Sequence, residues 1–132
     1  MTKPHPLILN KGAIVVPVTA RGENRDFSTS LILDTGASKT MLSQEALSII
    51  GTPKIRKVNN QFISTAKGTL QAEVFKITSL KSLGLIRRNF EVVVHDLPPA
   101  FKAFGIDGLL GLDFIMHKKL TIDLRNKFLV LE

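Results

Sequence analysis

Cysteine is absent from this 132-residue chain, and so are tryptophan and tyrosine. The first absence excludes disulfides, thiolate metal sites and cysteine nucleophiles, and fits a reducing compartment. Histidine is scarce: His5, His95 and His117 lie far apart, and no His-Glu-x-x-His or comparable ligand spacing occurs, so no metal site is expected. Long apolar runs are also missing. Leu7-Ile8-Leu9 is cut short by Asn10 and Lys11, too brief for a secretory signal or a membrane span. A soluble, cytoplasmic protein with no membrane partner is the expectation. Phosphate-cradling and Gly-x-Ser-x-Gly patterns are lacking as well; Gly105, Gly108 and Gly111 have neither the Rossmann nor the P-loop context. No cofactor is therefore implied.

Acidic residues are the minority, 11 against 18 Lys and Arg, for a net charge of +7. Nucleic-acid modules interleave basic residues with aromatic stacking platforms. Here the basic residues are scattered in small groups (Lys54, Arg56 and Lys57; Arg87 and Arg88; Lys118 and Lys119; Arg125 and Lys127) with no Trp or Tyr between them. A solvated basic face is the simpler reading, and no nucleic-acid partner is expected.

What the chain does have is short apolar runs separated by turn residues. Forty-four per cent of residues are hydrophobic, enough to fill the core of one domain. Residues 1–12 read as a polar N-terminal arm and residues 13–132 as the domain. Ala13–Ala20 reads as a strand in which Pro17 marks an edge or a bulge; Phe27–Leu33 is a second. Ser43 is placed to cap a short helix over Ser43–Ile50, ended by Gly51-Thr52-Pro53. Residues 61–79 read as a hairpin turning at Ala66-Lys67-Gly68, with Gly68 able to supply positive φ. A basic turn at Arg87-Arg88 opens a strand over Phe90–His95. Pro98–Phe104 is a short helix or loop, residues 113–118 look helical, and Leu120–Leu124 and Phe128–Leu131 form a final strand pair. Many short strands with few helices indicate an all-β barrel.

Function is concentrated in residues 31–38, Leu-Ile-Leu-Asp-Thr-Gly-Ala-Ser. An apolar run delivers one carboxylate, Asp34, into a sharp turn. A carboxylate leaving a buried strand is costly unless it is paired or shares a proton, and that cost points to chemistry. A second segment, Ile106-Asp-Gly-Leu-Leu-Gly-Leu-Asp-Phe-Ile115, carries an apolar-apolar-Gly stretch at a suitable distance. Together the two segments resemble the retropepsin-like aspartic proteases, especially the bacterial and archaeal relatives of the retroviral enzymes. The resemblance covers roughly residues 13–131.

That resemblance implies a single-lobed closed barrel with one or two short helices, and a set of roles. Asp34 is the catalytic carboxylate. Thr35, Gly36 and Ala37 support its loop, Thr35 by bracing a partner's loop. Leu109, Leu110 and Gly111 pass behind the loop. Ile63, Ser64, Thr65, Ala66, Lys67 and Gly68 form a substrate-covering flap, with less glycine than the retroviral flap tip. Aspartic protease chemistry needs two carboxylates sharing one proton, and only Asp34 lies in an Asp-Thr-Gly context. A two-fold homodimer acting on extended polypeptide is the economical solution. The retroviral Asp–Arg pair that ties this loop to the following helix is replaced by Ser38 and Leu112, which cannot form it. The alternative reading is a dimerisation or peptide-binding module of the same fold with little proteolysis.

Overall fold

The computed structural model describes residues 2–51, 56–65 and 68–132, the side chains of residues 56–65 and 68–72 excepted. The chain runs β1 (His5–Pro6), β2 (Ile8–Asn10), β3 (Ala13–Arg21), β4 (Asp26–Leu33), β5 (Met41–Leu42), α1 (Gln44–Ile50), β6 (Arg56–Thr65), β7 (Gly68–Ser82), β8 (Leu85–Val94), α2 (Pro99–Lys102), β9 (Ile106–Leu110), α3 (Leu112–Ile115), β10 (Leu120–Asp123) and β11 (Phe128–Leu131). No helix among the described residues is long and apolar enough to cross a membrane.

Strands β3, β4, β9, β5, β8 and β7 are neighbours in that order, and β7 returns to pair with β3, closing the barrel that the sequence pattern implied. Closure removes the exposed edges that an open sheet would leave. Two long strands make this possible by changing partners along their length. The first half of β3 pairs with β2 (Ile8↔Val15) and its second half with β7 (Val18↔Ser82 to Arg21↔Ser79). Pro17 sits at the handover. Its carbonyl accepts from the Ser82 hydroxyl at 2.9 Å, so its N–H-less nitrogen faces the gap between β2 and β7, where no ladder bond is lost. In β7, the N-terminal part pairs with β6 and the C-terminal part enters the barrel. Strands β1, β11 and β10 form a separate three-stranded sheet, with Leu7 buried between β1 and β2.

Alternation places the core. Along β3, Val16, Val18 and Ala20 are buried while Pro17 and Arg21 face out, the period of two that a strand imposes. Leu31, Leu33, Leu42, Ile77, Leu80, Val92, Leu110, Phe114 and Leu129 complete the interior. The Ser43 hydroxyl accepts from Ala46 N at 3.1 Å and caps α1 as expected; Ala46, Leu47 and Ile50 turn its apolar face inward.

Two local expectations are corrected. The Arg87-Arg88 pair is not a turn: β8 begins at Leu85 and both arginines lie inside it, opposite Leu80 and Ser79. The turn is Leu83-Gly84, with both residues at positive φ (52° and 79°), the two-residue form that matches strand twist. The helix expected over residues 113–118 is a single turn ending at Ile115, because Met116 is extended and His117 adopts a positive φ of 65°. The hairpin of β6 and β7 has the expected strands, with Thr65 opposite Gly68; its turn residues Ala66 and Lys67 lie outside the described residues.

Candidate active site

The position of Asp34 follows from strand periodicity. Leu31 and Leu33 point into the barrel, so Ile32 and Asp34 fall on the opposite side. β4 ends at Leu33, but its parallel ladder with β9 continues one step further, since Asp34 N donates to Leu110 O at 2.9 Å. The carboxylate is thereby carried to the barrel end, where it is only partly covered. Gly36 N donates to Asp34 Oδ1 at 2.9 Å and Ala37 N to Asp34 O at 3.1 Å. This is a tight turn closed by its own aspartate. Thr35 and Gly36 are exposed, whereas the Ala37 methyl is buried.

Leu109, Leu110 and Gly111 lie directly against this loop. Besides the Asp34–Leu110 bond, Leu112 N donates to Ala37 O at 2.9 Å. Gly111 has to be glycine: a Cβ there would stand 2.7 Å from Lys39 C, 2.8 Å from Lys39 O and 2.9 Å from Ala37 O, all backbone atoms. Upstream, β9 carries a bulge. Three steps on β9 (Ile106 to Leu109) span two on β4 (Ser30 to Ile32). Gly108 occupies it, with Met41 O only 1.9 Å from where a Cβ would be. The bulge turns Asp107 toward Thr29 and Ser43, whose hydroxyls both donate to its carboxylate.

Three side chains that connect to the candidate loop escaped the sequence reading. Thr40, fully buried, donates its hydroxyl to Asp113 Oδ1 at 2.7 Å and its N–H to Asp113 Oδ2 at 3.1 Å. The same hydroxyl accepts from Gly111 N at 3.1 Å. This network ties the loop to α3 through side chains, beside the backbone bond from Leu112 N to Ala37 O. Burial raises the Asp113 carboxyl above its ordinary value, outweighing the lowering by the Thr40 bonds and the Lys39 charge. Arg87, read as a turn residue, donates from Nε to Phe114 O at 2.8 Å and from Nη2 to Met116 O at 2.6 Å, holding the far end of α3. A polar residue two places after Leu-Leu-Gly, inside an apolar stretch, was the available signal for Asp113. Nothing in the local sequence marked Arg87.

Ile63, Ser64 and Thr65, expected in a flap, lie at the end of β6 opposite Leu70, Thr69 and Gly68 of β7, with their side chains and the tip outside the described residues. A cleft of about 460 Å³ is lined by Ser43, Gln44, Asp96, Lys102 and Asp107 among others, not by Asp34. Among the described residues no three His, Asp or Glu side chains converge as metal ligands.

The fold is similar to the crystal structure of a retropepsin-like aspartic protease from Rickettsia conorii. The match has a TM-score of 0.66 and 21% sequence identity, and covers 99% of this chain and 91% of that one. No protein of curated function matches the chain. The family model for aspartyl proteases matches residues 16–114, which spans both the Asp34 loop and the Leu109–Gly111 segment that backs it. With most of the barrel inside that match, the chain belongs to the aspartyl protease family.

Proposed function

We propose that the chain is an aspartic endopeptidase that works as a two-fold homodimer on extended polypeptide. The observation that carries this reading is the setting of Asp34. It is a single carboxylate turned away from its own core, held by Gly36 N, on a loop whose next two residues are exposed. One carboxylate supplies half of the chemistry. A second copy, related by a two-fold axis through this loop, supplies the other half.

Two carboxylates about 3 Å apart cannot both ionise, so the pair holds one proton. The ionised Asp34 takes a proton from a water lying between them as that water attacks the scissile carbonyl. The protonated Asp34 of the other copy gives its proton to the carbonyl oxygen. The resulting tetrahedral diol collapses to the new carboxyl group, and a proton passes to the leaving amine. Thr35 braces the partner's loop across the axis, Gly36 leaves room for water and substrate, and Leu109, Leu110 and Gly111 back the loop. The β6–β7 hairpin, with Ile63, Ser64, Thr65, Ala66, Lys67 and Gly68 at its tip, closes on the peptide and pairs with its backbone. Ala37 offers a methyl group where pepsin-like enzymes have a serine. The dyad then has one hydrogen bond fewer, which favours an optimum in mildly acidic solution.

The test compares wild type with Asp34→Asn on an unstructured protein and a mixed peptide library from about pH 3 to about pH 8, with sedimentation to establish the oligomer. Cleavage should fall about a thousandfold or more in the variant while the dimer persists. Equal cleavage by both proteins would overturn the assignment of Asp34. A dimer that binds peptides and releases them intact would overturn the enzyme reading in favour of a binding module.

A further inference from the structure

The active loop is stitched to one short segment at three points. Asp34 N bonds to Leu110 O (2.9 Å), Leu112 N to Ala37 O (2.9 Å), and Gly111 N to the Thr40 hydroxyl (3.1 Å). The first two are backbone bonds that any sequence could make. The third depends on a side chain that is fully buried and uses both its donor and its acceptor capacity, because the same hydroxyl donates to Asp113 Oδ1 at 2.7 Å. Asp113 in turn takes the Thr40 N–H on its other oxygen at 3.1 Å. It sits on α3, whose last carbonyls are held by Arg87 from β8. A continuous path of bonds therefore runs from the barrel wall to the Asp34 backbone: Arg87, α3, Asp113, Thr40, Gly111, Leu110, Asp34.

We propose that Thr40 and Asp113 are positioning residues that set the height and orientation of Asp34, an inference that rests on the proteolytic reading of that carboxylate. A pair kept only for stability would be better served by apolar side chains of the same size, since desolvating a carboxylate offsets much of what its bonds return. What the pair adds is direction. It places Gly111 N, and through Gly111 the Leu110 carbonyl that receives Asp34 N.

The test uses Thr40→Val, which keeps the shape and removes the hydroxyl, and Thr40→Ser, which keeps the hydroxyl. Asp113→Asn serves as a second variant should Thr40→Val fold poorly. Assays are run well below the unfolding temperature of each protein. Thr40→Val is expected to lower kcat about tenfold or more with KM within about twofold, as displacement of a reacting group by a fraction of an ångström does. Thr40→Ser should stay near wild type, and the Gly111 amide should exchange faster in Thr40→Val alone. A folded Thr40→Val with wild-type kcat, or with KM and kcat changed alike, would overturn the proposal. Should wild type cleave nothing, the protease reading falls separately. The positioning inference is then decided by NMR: the Asp34 carboxyl resonance and Gly111 exchange must both respond to Thr40→Val and recover in Thr40→Ser, and silence in either overturns it.

Discussion

Replacing Gly111 by alanine tests how closely the loop and its backing segment approach each other. The new methyl group would lie 2.7 Å from Lys39 C, 2.8 Å from Lys39 O and 2.9 Å from Ala37 O. Ordinary contact begins at 3.4 Å, so the loop must retreat by 3.4 − 2.7 = 0.7 Å. None of the three atoms belongs to a flexible side chain. The retreat acts on the Leu112–Ala37 bond at 2.9 Å and the Gly111–Thr40 bond at 3.1 Å. Overpacking of this kind costs roughly 1–3 kcal/mol, and the two weakened, unbroken bonds together about 1 kcal/mol more. A total near 3 kcal/mol is a large part of the 5–15 kcal/mol that holds a typical domain. With a urea slope of about 1.5–2 kcal/mol per molar, the unfolding midpoint should drop by about 1.5–2 M. Circular dichroism reads this, and a series of protein concentrations separates folding from dimerisation. Gly105→Ala is the control: its φ of +72° is strained for alanine, but nothing lies within 4 Å of the added methyl, so only a left-handed penalty of about 1–2 kcal/mol applies. A Gly111→Ala midpoint no lower than that of Gly105→Ala would refute the close-approach argument.

Ser43→Ala removes the cap of α1 and the hydroxyl that meets Asp107 Oδ1 at 3.2 Å. It should cost about 1–2 kcal/mol and speed amide exchange in the first turn of α1; unchanged exchange there would show that the cap is not what holds the helix start. Asp113 predicts a pH dependence. Burial raises its carboxyl above the usual 3.8, so its contribution to folding is complete below that value and is lost as pH rises through the higher folded value. The stability of wild type relative to the non-titrating Asp113→Asn should therefore decline as pH rises from about 3.8. Asp123, whose carboxyl is lowered by the Asn126 backbone and side chain, gives the opposite trend in both proteins and cancels in the comparison. A difference that is flat or rises with pH would contradict the sign.

The parts of this molecule that could be read from sequence are those whose causes are local. The Val- and Ile-rich run Ala13–Ala20 and the apolar run ending at Leu33 announce strands, and Ser43 announces its helix by its hydroxyl. The parts that could not be read join distant residues. Thr40 and Asp113 are 73 positions apart, and Arg87 reaches Phe114 across 27. A basic dipeptide such as Arg87-Arg88 looks like a turn until the carbonyls of α3 are brought to it. Leu83 at φ 52° was hidden for the opposite reason, since a buried leucine is a poor turn former and only Gly84 beside it signals the hairpin.

The same division explains the site itself. Asp34 was legible as a candidate because the Asp-Thr-Gly resemblance is carried by adjacent residues, although the turn that Gly36 N closes on its carboxylate is by itself an ordinary use of an aspartate. The Leu109–Gly111 backing of Asp34 was legible, but the Thr40–Asp113 tie beside it was not, because it joins side chains 73 positions apart. Looking for the expected pair finds Ser38 and Leu112. The structure moves the connection two residues along one segment and one along the other, to Thr40 and Asp113. The contact is constrained by geometry, the distance between loop and helix, rather than by the identity of any one pair. That is why Gly111, which sets this distance, is a residue whose replacement the site should tolerate poorly.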